Sequence, residues 1–177
     1  MALQALGQDK ARGVVSSCIK ESIAKGKTIS TRDAVAKYNI AYGKVLGSMS
    51  KSWSSGLNGA VIAASPELPS INYKPNPGSP QPKTHPVITI NILKGAGRAW
   101  KGAFVARMKS GHVGVYTRKQ ASRLPISQGY SIGPGQEFLA KRRGLDVTIP
   151  NEVAEFYNGR LISKTLAALG GVKIGRR

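Results

Sequence analysis

Two histidines, one cysteine and eight carboxylates are all that this 177-residue chain offers for acid–base, nucleophilic or metal chemistry. A two-metal hydrolytic centre needs carboxylates gathered closely enough to hold both ions across an in-line displacement. Here Asp9, Glu21, Asp33, Glu67, Glu137, Asp146, Glu152 and Glu155 are spread along the sequence. Glu152 and Glu155 stand three apart near an expected helix start, where the macrodipole accounts for them. His85, between Thr84 and Pro86, and His112, at an expected turn, read as surface imidazoles. A single cysteine, Cys18, excludes an intramolecular disulfide or a multi-cysteine zinc site, and its apolar setting reads as a buried, inert thiol. Gly97 and Gly102 have the separation of a phosphate loop, but Ala103 and Phe104 replace the Lys and Ser/Thr that would meet phosphate and Mg²⁺. A loop between two strands is the better reading of residues 95–102. No Gly-x-Ser-x-Gly elbow occurs either. The sequence reads as a non-enzyme, with no catalytic, cofactor or metal site.

What the chain has in excess is positive charge. Twenty-seven Lys and Arg against eight Asp and Glu give a formal net charge of +19. Such a surplus favours nucleic acid, an anionic membrane surface or acidic protein neighbours. Between residues 94 and 143 stand Lys94, Arg98, Lys101, Arg107, Lys109, Arg118, Lys119, Arg123, Lys141, Arg142 and Arg143, with Glu137 the only acid. Trp100, Phe104 and Tyr116 interleave with them, a pattern in which cations grip phosphates while rings stack on bases. Phe104 and Tyr116 alternate within strands, so core packing is the expectation for both. The expected contact residues are Arg107, Lys109, Arg118, Lys119 and Arg123 around a hairpin, and Lys141, Arg142 and Arg143 in the later basic run. No apolar run approaches the roughly 18 residues of a membrane span. The first residues lack the basic leader and apolar stretch of a signal peptide, so a soluble protein made in a reducing cytoplasm is expected.

The elements that position these cations follow from periodicity. Val15, Cys18, Ile19, Ser22 and Ile23 recur every three or four residues, on one helix face. Gly26 should stop that helix, and Ser30 to Asp33, with capping-box spacing, should open a second over 31–38. The pair invites a helix-turn-helix reading, but the linker is long and no recognition helix follows. Residues 48–59, rich in Ser and Gly, read as a flexible connection, and 57–64 as a strand. Seven prolines between 65 and 86 give either a surface loop or an arm lying on a neighbouring subunit. The β-branched run 87–93 should form a central strand. Alternation on both sides of Ser110-Gly111 gives a hairpin over 102–118. A short extended piece at 124–126 and a turn-rich stretch at 129–135 follow. Pro150 should open a C-terminal amphipathic helix through Val153, Phe156, Leu161 and Leu166, disturbed at Asn158-Gly159 and ended by Gly170-Gly171. The sum is one α+β domain over 1–177. It has a helical region (1–47), a flexible proline-rich excursion (48–86), a small antiparallel or mixed sheet around the hairpin (87–132) and a C-terminal helix (149–170).

The string GAFVARMKSGHVGVYTR at 102–118, followed by Arg123-Leu124-Pro125-Ile126 and Ser131-Ile132, resembles the prophage minor tail protein Z family, the tail-completion proteins of long-tailed bacteriophages. The resemblance covers about 87–132, while the flanks agree in layout alone. Gly129 to Gly135 departs from a Gly-Pro-Ser-Ile-Pro-like segment of that family, which implies a differently shaped turn. The resemblance implies a structural virion protein at the head-proximal neck of the tail. It would be assembled in the host cytoplasm as a homo-oligomeric, hexameric ring that makes the tail competent for head–tail joining. Its implied partners are the tail tube or tail terminator, head–tail connector proteins and the end of the packaged DNA, with no membrane. Small α+β ring proteins serve tail completion, tail termination and head–tail joining alike. The charge taken alone supports another reading, a sequence-independent nucleic-acid-binding protein.

Overall fold

A single helix, α1 (Gln8–Lys37), stands where two were expected. Its buried positions, Cys18, Ser22, Ile23, Gly26, Ser30, Thr31 and Ala34, keep three- and four-residue spacing straight through the expected break. Gly26 survives inside the helix because something packs on it. A Cβ there would lie 3.2 Å from Val153 Cγ2 and 3.7 Å from Val61 Cγ2. Ser30, expected to cap a second helix, lies inside α1, and hydroxyls upstream of it bond back within the helix: Ser22 Oγ donates to the Cys18 carbonyl at 2.8 Å and Thr28 Oγ1 to Ala24 at 3.1 Å. One unbroken helix leaves no helix-turn-helix in this region. Gly13, whose Cβ position is open, gives the contrast. Gly13→Ala should raise stability by about 0.5–1 kcal/mol, and Gly26→Ala should fail to do so. Urea titration of both variants checks the continuous helix; an equal gain at the two sites would contradict it.

The computed structural model describes residues 6–54, 57–63, 67–81, 87–133, 136 and 145–170. Within the span read as one domain, contacts gather into two compact units. Unit 1 is Met1–Ser30, Met49–Ala63 and Phe138–Arg177; unit 2 is Thr31–Ser48 and Ala64–Glu137. Both combine helix with strands, and every described pairing is antiparallel, so the class is α+β. Among the described residues the strands form four small separate sheets rather than one.

Unit 1 joins the first part of α1 to a hairpin, β1 (Met49–Ser54) with β2 (Asn58–Ala63), and to a C-terminal helix, α3 (Leu145–Ala168). The supposed flexible connection is therefore partly strand. Serine-rich β1 buries only Met49, so it shows no apolar alternation. Helix α3 begins before Pro150 and runs through it, and Asn158-Gly159 does not interrupt it. Glu21 binds α3 to α1, with Lys164 Nζ at 2.6 Å and Arg160 Nε at 3.2 Å; Lys164 also reaches Ser17 Oγ at 2.5 Å. Cys18 is fully buried beside them, and burial pushes its thiol above the ordinary value.

Unit 2 contains the end of α1, the short helix α2 (Tyr42–Gly47) and the remaining strands. Strand β4 (Ile88–Leu93) pairs with β5 (Ala96–Trp100) on one edge. On its other edge, among the described residues, it meets only single bridges, from Tyr38 to Leu93 and from Asn76 to Thr89, so it is less central than expected. The amide of Lys94 caps the Lys37 carbonyl at 2.9 Å and so closes α1. Strands β6 (Ala103–Arg107), β7 (Val113–Arg118) and β8 (Ile126–Gln128) form a meander, and β3 (Leu68–Pro69) pairs with β9 (Tyr130–Ser131). Tyr38, Ile40, Val45, Tyr73, Ile88, Ile90, Val105 and Val115 fill the core.

Part of the proline-rich segment is built into this unit. A 3₁₀ turn (Ser70–Tyr73) buries Ser70 and Tyr73. Ser70 Oγ and Ser131 Oγ lie 2.8 Å apart, and Tyr73 Oη donates to the Ile132 carbonyl. Asn76 exchanges two backbone bonds with Thr89, at 2.8 and 2.9 Å. Over 67–76 the segment is thus bound to its own unit rather than reaching out as an arm. Residues 64–66 and 82–86, including His85, lie outside the described residues.

Candidate functional site

The basic residues are placed by the β6–β7–β8 meander. Its first turn is built as the sequence requires, though one residue longer. The Gly111 amide donates to the Met108 carbonyl at 2.9 Å, and the Met108 amide to His112 at 2.8 Å. Gly111 has φ +83°, so Lys109-Ser110-Gly111 is a three-residue loop that ends on a left-handed glycine. The glycine-rich run is explained in the same way. Gly95 and Gly102 take positive φ at the two ends of β5, and Ala96–Trp100 between them is itself a strand, not a loop and not a phosphate cradle.

Register then divides the expected contact residues. Arg107 pairs with Val113 beside the first turn, and Lys109 stands in that turn. Arg118 pairs with Ile126 at the opposite end, followed by Lys119 and Arg123. Five residues of strand separate the two ends, about 17 Å. Alternation adds a difference of face. Arg107 lies on the side of Val105 and Val115, whereas Arg118 lies on the side of Phe104 and Tyr116. The sequence set is therefore two groups, not one patch. Lys141, Arg142 and Arg143 lie outside the described residues.

The Arg118 end is the richer of the two. Lys101, in the β5–β6 turn, stands two residues before the Ala103–Thr117 pair and so falls at the same end as Arg118, Lys119 and Arg123. Sequence reading did not choose Lys101, because only the register of β6 on β7 brings it there. All four are exposed, and so is Leu124, at 66%, next to Arg123 in the chain. The loop is pinned at its base by the Lys119 amide on the Pro125 carbonyl, 3.1 Å. Arg118 stacks its guanidinium 5.3 Å from the Phe104 ring centroid, which fixes it on that face. Phe104 is half-buried, and its partner Tyr116 is buried, with its hydroxyl held above the ordinary phenol range by burial and by Tyr130.

Charge here is uncompensated. The sequence has no carboxylate between Glu67 and Glu137, a stretch that contains the seven strands from β3 to β9 and the 3₁₀ turn Ser70–Tyr73. Among the described residues, Lys101, Arg107, Lys109, Arg118, Lys119 and Arg123 make no ion pair, whereas Lys37 pairs with Asp33 at 2.8 Å and Lys164 and Arg160 pair with Glu21. His112 is exposed and meets Gln128 Nε2 at 3.1 Å through its Nε2. Among the described residues, no three of His, Cys, Asp and Glu gather as a metal site, and no helix is long and apolar enough to cross a membrane. The surface can bind a polyanion or an acidic protein face through exposed cations and one exposed apolar side chain. Comparison with protein-family models, with curated proteins and with solved structures gives no match.

Proposed function

We propose that this chain is a structural virion protein of a tailed bacteriophage, acting in tail completion at the neck. It assembles as a ring that makes the tail competent to join the head. The observation that carries this reading is the Arg118 end of the meander. It lies within the stretch whose sequence resembles tail-completion proteins, and it exposes four cations and Leu124 without a balancing acid. On this reading the mechanism is docking. The carboxylate-free end meets acidic faces of the tail tube, the terminator or the connector, and long-range attraction steers the encounter. Tails made without this protein, incubated with it and with filled heads, should yield joined particles. No rise in joined particles would contradict the reading.

The same surplus of charge favours a second reading, a sequence-independent nucleic-acid binder. That reading expects DNA affinity to fall steeply with salt and predicts no assembly without DNA.

A further inference from the structure

Unit 1 carries two uncharged surfaces that its described residues leave uncovered. The first is a groove of about 540 Å³. Ile19, Ile23 and Gly26 of α1 form its floor, and Met49, Val61 and Val153 stand in its walls. No charged side chain lines it. The second surface lies on α3. Ile162, Leu166 and Leu169 are 62, 40 and 45% exposed, and their spacing puts them on one stripe. At 3.6 residues per turn this stripe is roughly opposite the helix face that carries Ile149, Val153 and Tyr157 to the groove.

Charge limits what can cover them. Two copies of a chain with a formal charge of +19 repel each other over most of their surface. The groove is exempt because its lining is neutral. Along 161–170 the only charge is Lys164, which Glu21 holds at 2.6 Å. These are surfaces on which two copies can meet without bringing like charges together. Size agrees. With each carbon group taking about the volume of a water molecule, ~30 Å³, three four-carbon side chains occupy about 360 Å³. A helix laid into an apolar groove through anchors at i, i+4 and i+7 is a common mode of recognition.

We infer that the α3 stripe of one copy seats in the unit 1 groove of the next. Stripe and groove lie on opposite sides of α3, so the contact is head to tail: every copy donates one surface and accepts with the other. Such contacts close into rings or run on as filaments. The interface deepens the ring reading above and rests on it only for closure, since the contact itself needs no phage component.

Sedimentation of the full-length protein at high salt tests the inference. Wild type should form species larger than a dimer. The stripe variant Ile162→Asp/Leu166→Asp and the groove variant Ala154→Trp should each be monomeric with unchanged helical circular dichroism. Mixed in equal amounts, the two should form a dimer that grows no further, because only one stripe and one groove remain intact. Leu169→Asp and Ala60→Trp provide a second pair if either first variant fails to fold. A monomeric wild type, a folded single variant that still assembles, or a mixture that stays monomeric would overturn the contact. So would a wild-type groove that binds an apolar dye while the stripe changes nothing, which would assign it to another occupant. Intact assembly without tail joining would count against the virion reading alone.

Discussion

Lys119→Glu combined with Arg123→Glu should weaken binding to the anionic partner by about 100-fold or more. Both side chains are exposed and make no ion pair among the described residues, so the fold should tolerate the change. Arg118 is a poorer target because it also stacks on Phe104. Reversal does more than remove attraction. It sets like charges against each other, at a cost of several kcal/mol, which corresponds to two or more orders of magnitude in Kd. Arg107→Glu with Lys109→Glu is the matched control. These residues lie about 17 Å away along the hairpin, beyond the ~8 Å Debye length at physiological salt. Their reversal should cost less than about threefold. Binding to purified tail tubes, or yield of joined particles, reads both pairs. Equal losses would mean that overall charge, not the Arg118 end, does the work.

Tyr73→Phe should produce stability curves that cross with pH. Tyr73 is 1% exposed, and burial pushes its hydroxyl up from 10.0 to about 12. The native state therefore holds this proton more tightly than the unfolded chain does. Its contribution is complete below pH 10 and is lost as pH rises toward about 12. Two units correspond to about 2–3 kcal/mol. In the Phe variant the Ile132 carbonyl loses its donor, at about 1 kcal/mol, but nothing remains to ionise. Wild type should be the more stable protein below pH 10, and Tyr73→Phe the more stable above about pH 11.5. Denaturant midpoints across that range check it. Parallel curves would show that the hydroxyl is not held as described.

Sequence reading succeeded where apolar side chains mark the period. The hairpin, the β-branched run of β4 and the C-terminal helix were all legible for that reason. It failed in α1 because the buried stripe there passes through Ser22, Gly26, Ser30 and Thr31, small residues with little hydropathy. A helix that packs closely through small residues looks, in sequence, like a helix that has ended. The same applies to β1, where serines pair without an apolar face. Within the candidate site the residue types were visible but their grouping was not. Strand register places Arg107 and Arg118 at opposite ends and brings in Lys101, and no local pattern encodes that. The proline-rich stretch failed for a related reason. Its anchors, Ser70, Tyr73 and Asn76, are polar contacts to distant residues, which leave no periodic trace.

The most direct test of the neck-ring account is the mass of the purified protein by light scattering, at low and high salt, with and without DNA. The account predicts a discrete oligomer of ring size that persists at high salt and does not need DNA. A monomer that assembles only on DNA, and dissociates as salt rises, would contradict it and favour the nucleic-acid binder.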